Sequence, residues 1–290
     1  MGRISSLVRA MAVDLTPIRE CRPYRWLWAG DVCATLGRQI STVAIPLQVY
    51  GLTHSSLMVG LVSLAEVVPL IAGSLVGGVV VDAVDRRKVI FFTQGTVCLL
   101  AMLFAFNAGL EHPQMWLIFV LGIIQAWVGG FDNPARRAAL TNIVGVRLLP
   151  SALALQQLVS NLAKLGGPAL AGVLIATAGL RFAYWLWALA ALGTLLAVMG
   201  LPALRPEGGG RKAGLSSLIE GLAYVKDKRI VRSVFYVDLS AMVFGLPRAL
   251  FPAIGTTVLG GNAATVGMLY AAPGAGAFVG ALTSGWLGRV

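Results

Sequence analysis

The sequence predicts an all-α, polytopic membrane protein with eight transmembrane helices, and three observations carry that prediction. Hydrophobic residues make up 57% of the 290 and charged residues only 12%, about half the roughly 25% of a soluble domain. The apolar residues gather into eight runs of about 20, the length that crosses roughly 30 Å of hydrocarbon. The cations alternate between connections. Nineteen of the 23 fall in the N-terminal arm, every second loop and the last turn, one (Arg181) lies on the opposite side, and three lie within spans. That asymmetry is the positive-inside pattern. It accounts for the net charge of +11 by topology and argues against nucleic acid as a partner.

The spans fall near 26–50, 57–81, 89–108, 114–133, 152–178, 182–201, 230–258 and 266–287. Residues 1–25 form a cytoplasmic N-terminal arm without the apolar core or cleavage site of a signal peptide, and 26–203 form a first six-helix half. Residues 204–229 are a cytoplasmic linker. In it Pro206-Glu207-Gly208-Gly209-Gly210 breaks the chain, and Leu215, Leu218, Ile219 and Leu222 recur at helical spacing beside Lys226, Lys228 and Arg229. This reads as an amphipathic helix on the inner leaflet. Residues 230–290 are two helices of a second half. Cys21, Cys33 and Cys98 are apolar fillers with no close pair, and His54 and His112 stand alone in outer loops. No Cys/His cluster, nucleophile–base pair or phosphate-cradling loop is present, so neither an enzyme, a metal site nor a cofactor is expected.

Between the second and third spans runs Gly78-Val79-Val80-Val81-Asp82-Ala83-Val84-Asp85-Arg86-Arg87-Lys88. This hinge resembles the signature loop of the major facilitator superfamily, G-x-x-x-D-[RK]-x-G-[RK]-[RK], through Gly78, Asp82, Arg86 and Arg87. Ala83 and Asp85 depart from it. A shift of 207 residues lays Asp31 on Asp238, Gly60 on Gly267, Gly73 on Gly280 and Gly78 on Gly285, as parallel repeats of two six-helix halves would. The resemblance implies a major facilitator fold of twelve helices, of which eight are present. On that reading the last four are missing, and Asp82, which in the family engages the eleventh helix, lacks its partner.

In the fifth span Ala163, Gly167, Pro168, Ala171 and Gly172 follow the family's exporter motif, G-x-x-x-G-P-x-x-G-G, with alanine at two glycine places. The resemblance implies a gate at Gly167, Pro168 and Gly172, packed on the eighth span, where Gly276 and Gly280 offer a complementary stripe. Asp132-Asn133-Pro134-Ala135-Arg136-Arg137, read as a latch ending the fourth span, also occurs in similar form in a drug-and-siderophore efflux branch of the superfamily. Val43-Ala44-Ile45-Pro46-Leu47-Gln48 and Arg248-Ala249-Leu250-Phe251-Pro252-Ala253 resemble its enterobactin exporter group.

Charged side chains inside a bilayer are expensive and usually face a cavity or a partner. Six lie within spans, Asp31, Arg38, Glu66, Lys164, Asp238 and Arg248, and three acids against three bases suggest mutual compensation. Glu66 is the first choice for a proton-coupling group, able to load and release a proton as access alternates; permanent pairing with a base is its alternative. Asp31 and Asp238, nearer the cytoplasmic ends, are further candidates, with a structural or entry-vestibule role as the alternative. Arg38, Lys164 and Arg248 suit an anionic substrate, because a guanidinium grips carboxylate or phenolate oxygens through a fixed fork. Asp31 and Arg38, seven residues apart, share a face roughly 10 Å apart. The expected function is a secondary transporter, a proton-coupled exporter of a siderophore or amphiphilic drug in a bacterial-type inner membrane. The alternatives are an importer of the same superfamily or a truncated, non-transporting remnant. The expected partners are a small-molecule substrate, protons and the lipid bilayer, with oligomeric state open.

Overall fold

The computed structural model describes residues 14–205 and 228–283. A short arm helix, α1 (Thr16–Glu20), leads into α2 (Arg22–Thr53), α3 (Ser56–Ala83) and α4 (Arg86–Ala108). Helix continues over Met115–Met199, 85 residues broken by Gly145 at φ 64° and Gly179 at φ 86°. A straight helix of that length would run about 130 Å, four times the hydrocarbon thickness. The two glycines adopt a left-handed backbone that other residues enter only at a cost, and there the chain reverses. The stretch is therefore three spans: α5 (115–144), α6 (146–178) and α7 (180–199). Then come α8 (Arg229–Gly245) and α9 (Ala263–Thr283).

Side-chain contacts define how the first six spans pack. α7 runs antiparallel to α2, since Thr194 Oγ1 donates to the Gly30 carbonyl and the Tyr184 hydroxyl to Gln48 Oε1. α6 runs parallel to α2, with the Tyr24 hydroxyl on the Ala152 carbonyl and Gly167 against Gln39. α3 and α5 are parallel and almost touch backbones. A Cβ on Gly130 would lie 2.5 Å from the Gly73 carbonyl carbon, so a small-residue crossing sets their spacing, as is usual between membrane helices. One core gathers Val43, Phe104, Ile118, Tyr184 and Trp187 toward the far end. A second gathers Tyr24, Ile90, Ala139, Leu140 and Val198 toward the end with the basic loops. Large apolar side chains cover the outside, among them Phe92 at 77% and Leu57 at 70% exposure, as a lipid-facing surface requires. α3, α4, α9 and the Met115–Met199 stretch each have the length and apolarity to cross a membrane.

Four sequence expectations need correction. The fourth span does not end at Asn133-Pro134: helix runs on to residue 144, so Arg136 and Arg137 lie within it and not in a loop. Membrane helices tolerate an interior proline where surrounding protein compensates for the lost backbone bond, and here Ala135, Arg136 and Ala139 on the next turn are all buried. The seventh span is not one helix. α8 stops at Gly245, and Leu246-Pro247 precede three short turns at Arg248–Leu250, Phe251–Ala253 and Ile254–Val258, the last a π-turn. Proline disfavours the helical region for its predecessor, and Leu246 lies outside it, with ψ at 66°. The small-residue stripe of the eighth span is Gly267 and Gly274, not Gly276 and Gly280, which have nothing within 4 Å of an added Cβ. The three intramembrane acids and three bases do not compensate one another, because among the described residues Asp31 alone of the six has an ion-pair partner, Arg136. The amphipathic linker helix expected around 215–222 and the repeat position Gly285 lie outside the described residues.

The signature hinge is a two-residue turn between α3 and α4. Asp82 is exposed and without a partner among the described residues, and Gly78 has open space around it. Arg86 and Arg87 reach instead across to the end of α7, donating to the carbonyls of Arg205 (3.2 Å) and Met199 (2.9 Å). Asp85, the departure from the family pattern, caps α4 by accepting from the Arg87 amide and also accepts from the Leu204 amide, both at 3.0 Å. Asp85→Ala is expected to lower stability by about 1–2 kcal/mol, a cap and a loop anchor together. The melting midpoint of the purified protein checks this, and an unchanged midpoint would refute it. A second anchor ties α1 and the residues before it to the start of α6, through Glu20 on Arg147 and Asp14 on Ser151. Hydrogen bonds from Thr16 and Ser151 hold the Asp14 carboxyl down to about 2, so this contact persists at neutral pH and weakens only as pH falls into strong acid.

The shift of 207 reappears in space. Tyr50, near the far end of α2, hydrogen-bonds Thr257 at 2.8 Å, and the two positions are 207 apart. Equivalent positions of two repeats meet in this way on the axis that relates them.

Candidate functional site

A cavity of about 800 Å³ opens between α2, α5 and α6, lined by Trp28, Asp31, Arg38, Asn133, Arg136, Arg137, Gln156, Ser160 and Lys164 among others. Four cations and one acid face it. Its position follows from the chain path: the reversal at Gly145 swings α6 away from α5 at the basic end, while Gly167 brings α6 back onto α2 at Gln39. The volume lies within the roughly 300–1,000 Å³ range of sites for drug-sized ligands.

One wall is a buried charge network that the sequence reading did not assemble. Arg136 is 7% exposed, and its guanidinium pairs with Asp31 of α2 and, through Nε at 2.7 Å, with Asp132 of its own helix. Thr93 and Gln94 of α4 donate to Asp132 Oδ1 at 2.8 and 2.9 Å, and Gln156 of α6 donates to Asp31 Oδ2 at 2.7 Å. Four helices are thus tied by a single cation. One part of this was legible, because Asp132 and Arg136 stand four apart, the spacing that brings opposite charges together on a helix. Asp31 comes from over one hundred residues away, and no local pattern announces it. Asp31 and Arg38 line one cavity without pairing.

Arg38 stands at a junction. Besides the large cavity it lines a space of about 100 Å³ with Gln94, Gln125 and Asp132, and a chamber of about 260 Å³ with Glu66, Gln125, Arg248 and Tyr270. Glu66 projects from α3 toward Gly122 of α5, its Oε1 only 2.8 Å from where a Cβ would begin, so the missing side chain makes its niche. Among the described residues no cation lies within ion-pair distance of Glu66. Arg248 sits on the first short turn after Pro247, whose backbone is held by the Tyr270 hydroxyl on the Arg248 carbonyl at 3.0 Å. Lys164 lines the large cavity with no ion-pair partner among the described residues, and Asp238 lies on the exposed surface of α8. The structure thus brings Arg38, Glu66 and Arg248 together, sets Lys164 and Asp31 around the larger space, and leaves Asp238 apart. Among the described residues no group of three His, Cys, Asp or Glu gathers to hold a metal.

Toward the far end α6 and α9 are in backbone contact. α6 and α9 cross with Gly172 against Gly267, where an added Cβ would fall 2.7 Å from the opposing Cα, and again with Gly274 against the Lys164 carbonyl. Pro168 lies at the same contact through its carbonyl, while Gly167 faces α2.

Membrane-length helices joined by short turns, close glycine crossings and a polar hollow at one end define a multi-pass membrane protein. A solved POT family transporter in complex with 5-aminolevulinic acid superposes with a TM-score of 0.52 over 82% of this chain and 51% of its own, at 11% identity, a likeness of fold. The model of the transmembrane secretion effector family matches residues 12–290. The chain belongs to that family of the major facilitator superfamily. It is 34% identical over 275 residues to enterobactin exporters EntS of Citrobacter koseri, Shigella boydii and Escherichia coli, matching 95% of this chain. It spans 66% of the length of those relatives.

Proposed function

We propose that this chain forms the substrate-binding core of a secondary transporter that exports an enterobactin-like siderophore or an amphiphilic drug from the cytoplasm, coupled to proton entry. The observation that carries the reading is the cation-lined cavity of about 800 Å³ at the basic end of a bundle whose α6 and α9 cross tightly toward its far end. It has the character of an inward-facing state awaiting an anionic substrate. The similarity to enterobactin exporters supports the substrate class and the direction. Basic loops mark the cytoplasmic side of a bacterial-type inner membrane, with the N-terminal arm inside. Arg38, Lys164 and Arg248 hold the substrate, Glu66 carries the proton, and Asp31 and Asp238 serve the entry side. Gly167, Pro168 and Gly172 form the outer gate, and Gly78, Asp82, Arg86 and Arg87 the inner hinge.

Glu66→Gln is expected to abolish proton-linked efflux with expression intact, since the amide retains the volume and loses the titrating group. Siderophore release from producing cells and uptake into inverted vesicles under an imposed pH gradient measure this. Undiminished gradient-dependent transport by the variant removes Glu66 from the mechanism.

A further inference from the structure

Arg38 faces both the large cavity and the small chamber, yet the two spaces differ in shape and chemistry. The chamber of about 260 Å³ falls below the range for a drug-sized ligand. Its inner wall is aliphatic, from Ile45, Pro46, Val49, Val59 and Val62, and its polar end holds Arg38, Arg248, Glu66 and the Tyr270 ring. Among the described residues neither guanidinium has a carboxylate within 4.0 Å, and both are exposed. Two guanidinium groups without a carboxylate partner, beside one aliphatic wall of a small space, are complementary to an anionic headgroup on a compact apolar body.

We propose that this chamber is a subsite for a single-ring or similarly compact carboxylate or phenolate, binding one arm of a larger substrate whose remainder occupies the cavity beside Lys164. The inference rests on the reading of the hollow as a substrate site and divides its cations. Arg38 and Arg248 take the anionic arm, and Lys164 takes what lies outside. A consequence follows from Glu66. The charged and titratable groups facing it are Arg38 from α2, Arg248 from the turn after α8 and Tyr270 from α9, while α5 presents Gln125 and Gly122. Arginine stays protonated throughout, so the chamber carries a formal charge of +1 with Glu66 ionised and +2 once Glu66 takes up a proton. An anion therefore binds more tightly when Glu66 is protonated, and by linkage the bound anion favours that proton.

The test uses the full chain in lipid nanodiscs with radiolabelled benzoate as the probe, at mildly acidic and mildly alkaline pH. Saturable binding, tighter in acid, is expected. Arg38→Gln and Arg248→Gln should each weaken it by about tenfold, the order of one lost charged hydrogen bond, with Arg248→Lys recovering part. Glu66→Gln should bind at the acid-side affinity at both pH values. Lys164→Gln should lower efflux of a whole siderophore but shift benzoate affinity less than about twofold. Absence of saturable binding, equal losses in Lys164→Gln and Arg248→Gln, or a pH dependence that survives in Glu66→Gln overturns the proposal. Benzoate binding with no siderophore efflux would instead leave the subsite standing and refute the exporter reading.

Discussion

Arg136→Ala is expected to destabilise the protein by about 3–5 kcal/mol, the cost of leaving buried charge uncompensated. The guanidinium serves both Asp31 and Asp132, each buried, and its removal leaves two carboxylates facing one another with only Gln156, Thr93 and Gln94 as donors. Because these residues lie on α2, α4, α5 and α6, the loss loosens four helices together. Arg136→Lys should fall between, since an ammonium keeps the charge but cannot present the fork that reaches both acids. A triple change, Asp31→Asn and Asp132→Asn with Arg136→Leu, should recover much of the loss, as replacement of a buried ionic group by neutral side chains often does. Thermal unfolding of detergent-purified variants measures all three. A loss below about 1 kcal/mol in Arg136→Ala would show that water reaches the cluster and screens it.

Gly172→Leu is expected to stop transport while leaving the first six spans folded. Its side chain would be driven into the backbone of α9, because the first carbon alone would lie 2.7 Å from Gly267 Cα and 2.6 Å from the Ala263 carbonyl oxygen. Backbone cannot turn aside as a flexible side chain can, so α6 and α9 must separate, and the far end cannot close. Gly130→Leu is the contrast. It strikes the backbone of Gly73 and Ser74 inside the first bundle, and it should abolish folded protein altogether. Membrane-inserted yield and efflux, measured side by side, separate the two. Efflux retained by Gly172→Leu would show that the crossing does not need to close.

Much of the architecture was readable because a bilayer makes hydrophobicity nearly one-dimensional. Runs of about 20 apolar residues, bounded by Arg86-Arg87-Lys88 or by Glu111-His112, translate directly into spans. Boundaries failed where a rule from water was applied to lipid. Pro134 read as an end and is an interior residue, whereas Pro247 is a true break. The difference lies in the neighbours, since Pro134 is flanked by Ala135, Arg136 and Ala139 in tight packing and Pro247 by residues that are half-buried or exposed. The signature hinge was found by its pattern, yet Asp85, which breaks the pattern, supplies its hydrogen bonds.

By itself the sequence determined the helical class, the number and order of spans, the side on which the basic loops gather, and which residues place charge in the bilayer. These follow from composition and local periodicity, because each span satisfies its own backbone hydrogen bonds. Partnership was decided only in the tertiary structure. Asp31 meets Arg136 and not Arg38, Gly172 meets Gly267 and not Gly276, and Arg38, Glu66 and Arg248 come from three helices to share one chamber. The physical reason is that charge pairs and glycine crossings depend on the rotation and depth of whole helices. Those are set by packing over many residues at once, and no single stretch of sequence records them.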